Sequence, residues 1–148
     1  MRNSNAGFTL AELVVSIAVV GIVMSVAIPT YSNLTNQAQR EINLANMSII
    51  KDTFLRYYQE THIKGNPQLP TEPENNLLDE EYRQIVLSDG RTPNYLFSGD
   101  LPLNTNNNAF HYEILSDTSE EGYITKLFII SDVDEDSPSY EEYRLGEI

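Results

Sequence analysis

The chain of 148 residues has no cysteine and no tryptophan, only two histidines, and nine basic residues against 22 acidic ones. Without cysteine there is no disulfide staple, no thiol nucleophile and no thiolate zinc site. A small domain without disulfides takes its rigidity from core packing, from neighbouring subunits or from a bound ion. Histidine is equally scarce, and Gly-x-Ser-x-Gly is missing. A catalytic centre needs a nucleophile, a base and a pocket. His62 and His111 read as surface or structural residues, and no enzyme is expected.

The deficit of basic residues is local. Residues 1–60 balance four basic groups (Arg2, Arg40, Lys51, Arg56) against four acidic ones (Glu12, Glu41, Asp52, Glu60). Residues 61–148 hold 18 acidic and five basic groups, so the whole net charge of −13 sits in the C-terminal part. A surface of that sign repels phosphate backbones and anionic lipid heads, so no direct nucleic-acid partner is expected. The length suffices for one modest domain and an anchor. No internal repeat is present.

What the chain does have is Phe8–Ile28, FTLAELVVSIAVVGIVMSVAI, in which Glu12 is the one charged residue. A helix of that length spans about 30 Å, the thickness of a bilayer's hydrocarbon core. A secretory signal would place small residues and a cut after the apolar stretch, whereas here the stretch runs on into Ile28-Pro29-Thr30-Tyr31 with helical periodicity. A plain anchor leaves Glu12 unexplained, because a carboxylate in hydrocarbon costs roughly 2.5–3.5 kcal/mol near a helix centre and somewhat less near an end.

Ahead of the block stands Met1-Arg2-Asn3-Ser4-Asn5-Ala6-Gly7, a short polar leader with a basic residue and no acid, followed by Phe8-Thr9-Leu10-Ala11-Glu12. This resembles the class III signal of type IV pilins and pseudopilins: Gly before the cut, Phe after it, Glu as the fifth mature residue. Gly21 and Pro29 fall where the family's N-terminal helix commonly has its glycine and proline. The resemblance covers residues 1 to about 40; beyond them it is architectural only. It implies cleavage by prepilin peptidase between Gly7 and Phe8 and methylation of the new Phe8 amine. It also implies an anchor in the bacterial inner membrane, single-pass, with the head outside the cytoplasm, and later a periplasmic or cell-surface filament. Arg2 would hold the leader inside. The partners implied are further copies of the chain, other pilins or pseudopilins, and an inner-membrane assembly platform. Glu12 would pair with the N-terminal amine of a neighbour; in low dielectric each charge is costly alone, so the pair sets axial register. Pro29 and Gly21 mark the stretch most able to bend or unwind, with close helix packing an equal reading for Gly21.

From Thr30 the helical pattern turns amphipathic. Leu34, Ala38, Ile42, Ala45 and Ile49 form one apolar stripe, which Ile50, Phe54 and Tyr57 or Tyr58 widen from Met47 on, where a head could pack. Gly65-Asn66-Pro67, Pro70 and Pro73 end the helix. The expected organisation is α+β: leader 1–7, transmembrane and assembly helix 8–29, amphipathic half 30–63, and a small antiparallel head 64–148. Within the head, Leu77–Leu87 reads as a short helix and Tyr95–Phe97 as a short strand. Phe110–Leu115 and Tyr123–Ile130 read as a hairpin lying across the helix.

The tail begins Ser131-Asp132-Val133-Asp134-Glu135-Asp136. Alternate carboxylates can converge on calcium if the backbone curls. An EF-hand is excluded, since its turn glycine is missing and Glu fills neither required end position. The major pseudopilins of type II secretion carry a calcium site after their last strand, and this loop sits in a similar place. Asp132, Asp134 and Asp136 are the candidate ligands. The segment Leu101–Asn104 with Asn108–Tyr112 is similar to the stretch before their strand, but lacks its tryptophan and Asp-Pro. The expected function is a filament subunit, with a type II secretion pseudopilin ahead of a surface pilus pilin. A membrane-tethered calcium-binding or adhesive module is the third reading.

Overall fold

A long apolar run satisfies its backbone hydrogen bonds internally as a helix, and the computed structural model carries that helix, α1, from Leu10 to Ile63. The structure describes residues 8–79, 82, 84–85, 94–97, 100–118 and 124–148. The expected leader, with Arg2 and Gly7, lies outside them, as does Tyr123 of the expected hairpin. The chain divides into two units, Met1–Gln37 and Ala38–Ile148.

α1 ends as its composition demands. Gly65 takes a left-handed conformation at φ 83°, which lets its N–H reach the His62 carbonyl at 3.0 Å and the Asn66 N–H reach the Thr61 carbonyl at 3.1 Å. This is the Schellman arrangement that closes the last orphan carbonyls.

Three antiparallel strands follow in the order β3-β4-β5: His111–Thr118, Ile124–Ser131 and Tyr143–Glu147. A separate pair, β1 (Gln84–Ile85) and β2 (Asn94–Tyr95), is also antiparallel. The expected hairpin is present, with Tyr112 opposite Ile130 and Ile114 opposite Phe128. Strand alternation turns Tyr112, Phe128 and Ile130 toward α1, where they bury Leu44, Met47, Ile50 and Phe54. Phe54 is the hub: its ring lies 4.7 Å from Tyr112 in an edge-on contact and 5.8 Å from Phe128, geometry that aromatic quadrupoles favour. The result is an α+β, pilin-like arrangement of a long apolar N-terminal helix and a small antiparallel sheet.

Three expectations are corrected. The stripe Ala38, Ile42, Ala45, Ile49 is not what the head covers; all four are exposed, and the buried set is Leu44, Met47, Ile50 and Phe54. Adjacent helical positions differ by about 100° around the axis, so Ile50 can be enclosed while Ile49 is not. The helix expected over 77–87 does not form in its described residues. The Leu78 N–H donates to the Phe110 carbonyl at 2.8 Å, Leu77 bridges His111, and Gln84–Ile85 is strand. Backbone groups committed to the sheet edge cannot also make helical bonds. Finally, β5 was not expected. It pairs with β4 from Leu127–Glu147 to Ser131–Tyr143, and Gly146 lies directly against Phe128, where a Cβ would overlap the ring.

Candidate functional site

The first turn of α1 shows what Glu12 does in the lone chain. Thr9 caps the helix: its N–H and hydroxyl both donate to Glu12 Oε2, at 2.9 and 2.8 Å, while the Glu12 N–H donates back to Thr9 Oγ1 at 3.3 Å. Thr-x-x-Glu is the capping box, in which two orphan donors of the helix start are satisfied reciprocally. Thr9 was missed as a site residue, although the four-residue spacing was the signal for it. Phe8, the expected mature N-terminus, is exposed one residue ahead of the cap.

Downstream, polar groups are satisfied within the helix. The hydroxyls of Ser16, Ser25 and Thr30 donate to the carbonyls of Glu12, Ile22 and Val26 at 2.7, 2.7 and 2.9 Å, the usual solution for such residues in an apolar helix. The apolar side chains are the opposite case, since every residue from Phe8 to Leu34 is exposed. A patch of that extent calls for lipid or neighbouring helices. A Cβ on Gly21 would meet nothing within 4 Å, so no contact in this chain requires glycine there. Pro29 sits inside α1. Among the described residues this is the one helix long and apolar enough to cross a membrane.

In the head, the three candidate metal ligands part company. Asp132 is fully buried; its Oδ2 accepts from the Ser137 and Ser139 hydroxyls at 2.5 and 2.6 Å, and its Oδ1 from the Asp134 N–H at 3.2 Å. Asp134 Oδ2 accepts from the side-chain amides of Asn104, Asn106 and Asn108 at 2.9, 2.8 and 2.9 Å. Those amide donors, Asn108 foremost, hold the Asp134 carboxyl below its usual range, at about 2. Asn104 also reaches Asp132 Oδ1 at 3.3 Å, so it joins the two acids. Asp136 contributes its N–H to Asp134 Oδ1 at 3.1 Å, and the residue itself is exposed. Among the described residues no three His, Cys, Asp or Glu side chains are grouped to hold a metal ion.

The acidic loop is tied to α1 by residues that composition alone did not single out. Asn43 is fully buried; its amide donates to the Ser137 and Ser139 hydroxyls at 3.0 and 2.8 Å, and its oxygen accepts from the Thr105 N–H at 2.8 Å. One turn on, Asn46 donates to the Leu103 carbonyl at 2.8 Å. One turn back, the Arg40 guanidinium pairs with Glu142. Arg40, Asn43 and Asn46 recur every three residues and so share a face. The available signal was two asparagines spaced three apart beside the apolar set of the helix.

Comparison with known proteins agrees at the N-terminus. Residues 2–28 match the family model described as the prokaryotic N-terminal methylation motif. The chain is also similar to the type IV major pilin protein PilE1 of Neisseria gonorrhoeae, 29% identical over 92 residues. That match takes in 61% of this chain and 43% of the relative, so the chain spans less than half of the relative's length. No solved structure matches the chain. A methylation motif opening on a capped helix with an exposed apolar first half, a small antiparallel sheet and similarity to a major pilin together support a type IV pilin-like family for this chain.

Proposed function

We propose that the chain is a structural subunit of a type IV pilus-like filament. Prepilin peptidase cuts it between Gly7 and Phe8, the Phe8 amine is methylated, and the exposed helix passes from the inner membrane into a bundle of its own kind. The observation that carries this reading is the Thr9–Glu12 cap at the head of a helix whose first 27 mature positions, Phe8 to Leu34, are all exposed. Both Thr9 bonds use Oε2, so Oε1 is free to take the ammonium of a neighbour without dismantling the cap. A desolvated carboxylate and amine at the wrong axial height leave both charges unmatched, which makes the pair a register device.

Mass spectrometry of the mature chain from cells that possess the peptidase tests the reading directly. The expected N-terminus is methylated Phe8; an uncut Met1 overturns it. Two finer readings differ in support. A secretion pseudopilin is favoured by the cysteine-free head and its acidic loop, a surface pilus pilin by the similarity to a major pilin. Deleting the gene and assaying both exported proteins and shed filaments separates them. Calcium at Asp132 and Asp134 would have to replace amide and hydroxyl donors already in place. A thermal melt of the full chain in detergent, with calcium and then with EDTA, decides it: a shift of several degrees supports the ion.

A further inference from the structure

The two faces of the β3-β4-β5 sheet carry different chemistry. The register aligns three outward rows: His111–Ser131–Tyr143, Glu113–Ile129–Leu145 and Leu115–Leu127–Glu147. The rows between them, through Tyr112–Ile130 and Ile114–Phe128, face α1 and its core. An antiparallel sheet with one buried face usually alternates to polar residues on the other. Here Leu115, Tyr143 and Leu145 are exposed, and Leu127 and Ile129 are half-buried without joining the buried core. Val133 and Tyr140, in the loop between β4 and β5, are exposed as well.

Charge on these rows has one sign. Glu113 lies in the middle row and Glu147 ends the third, with no lysine or arginine in any of them. The polypeptide around the face, residues 61–148, holds 18 acidic groups and five basic ones.

We propose that this sheet face docks a protein partner whose contact surface is both basic and apolar. The aliphatic and tyrosine side chains supply the area to bury, and the two carboxylates select the sign of what approaches. Nucleic acid and anionic lipid carry the wrong charge. A second copy meeting this face with the same face would set Glu113 and Glu147 against carboxylates. The proposal uses the described residues of β3, β4 and β5 only and does not depend on how the N-terminal helix assembles.

The test uses the full chain in neutral detergent micelles, with empty micelles as the baseline. The probe is a fluorescent synthetic peptide of alternating leucine and lysine; a lysine-glycine peptide of the same charge reports attraction by charge alone. The leucine-lysine peptide is expected to bind about tenfold tighter than the lysine-glycine one at about 0.15 M salt. Leu115→Ser with Leu145→Ser should remove that advantage. Glu113→Gln with Glu147→Gln, which changes charge and hardly shape, should weaken binding about threefold and flatten its salt dependence. Undiminished binding in both double variants overturns the proposal, because the attraction then belongs to the head's diffuse charge. It is also overturned if the serine variant leaves peptide affinity unchanged but abolishes self-association in sedimentation, since the face would then belong to a second copy.

Discussion

The two units of this chain solve the problem of apolar surface in opposite ways. In residues 38–148 the sheet folds over Met47, Ile50 and Phe54 until none of the three is accessible. In the first unit the polar groups are the ones that find partners within the helix, Thr9 with Glu12 and Ser16 with the Glu12 carbonyl, while Leu10, Val15, Ile22 and Ile28 stay uncovered. One unit is finished by its own residues. The other is finished in its polar bonding and waits for lipid or other helices to complete its apolar contacts. The same substitution therefore means different things on the two sides of Gln37: loss of fold in the head, loss of association in the helix.

The strongest way to break this contrast is Glu12→Ala in cells. Filaments counted by electron microscopy should vanish, while the thermal melt of the head stays where it was. A shifted melt would show that the units are not separate. Next in size is Gly146→Val, which drives a side chain into the Phe128 ring. Overpacking of this kind costs about 3 kcal/mol or more and should lower the melting temperature of the full chain by many degrees. Asn43→Ala removes two buried hydrogen bonds and one part-buried one at once; leaving buried partners unpaired costs roughly 2 kcal/mol, read as a shifted denaturation midpoint in urea.

A pH series sharpens the account of the acidic loop. The Asp134 carboxyl is held at about 2, below its ordinary 3.8. A lowered folded-state value means stability that is fully present above the unfolded value and is lost as pH falls. The advantage of the native chain over Asp134→Asn should thus be constant above pH 5 and shrink between about pH 4 and pH 2. The smallest effect comes from two buried tyrosines, whose phenols burial pushes well above their ordinary value. The Tyr112 hydroxyl donates to the Pro70 carbonyl at 2.8 Å, whereas the Tyr82 hydroxyl is buried with no partner among the described residues. Tyr112→Phe should cost about 1 kcal/mol, and Tyr82→Phe should be neutral or slightly stabilising.

The sequence made the helix of the first unit legible, because an apolar run of bilayer length is a local signal. The hairpin was legible for the same reason, since Phe110, Tyr112 and Ile114 alternate visibly with polar residues. The rest depends on long-range pairing. β5 escaped because its inward positions are Arg144 and Gly146, while Tyr143 and Leu145 point outward; a strand whose apolar residues face away from the core defeats the alternation rule. Leu77–Leu87 has helical spacing, but the Leu78 N–H is taken by the Phe110 carbonyl and Gln84–Ile85 pairs with Asn94–Tyr95. The role of Asn43 could not be read from the helix alone, because the serines and the loop it joins lie 62 to 96 residues downstream.

That separation constrains the order in which the protein comes into being. A chain emerging from its N-terminus exposes Met47 and Phe54 early, yet Tyr112 and Phe128, which pack on the Phe54 ring, follow far downstream. Contacts so far apart are slow to close. The newborn polypeptide must keep its future core open until β3 and β4 arrive, a task for which a strongly acidic, self-repelling head is well suited.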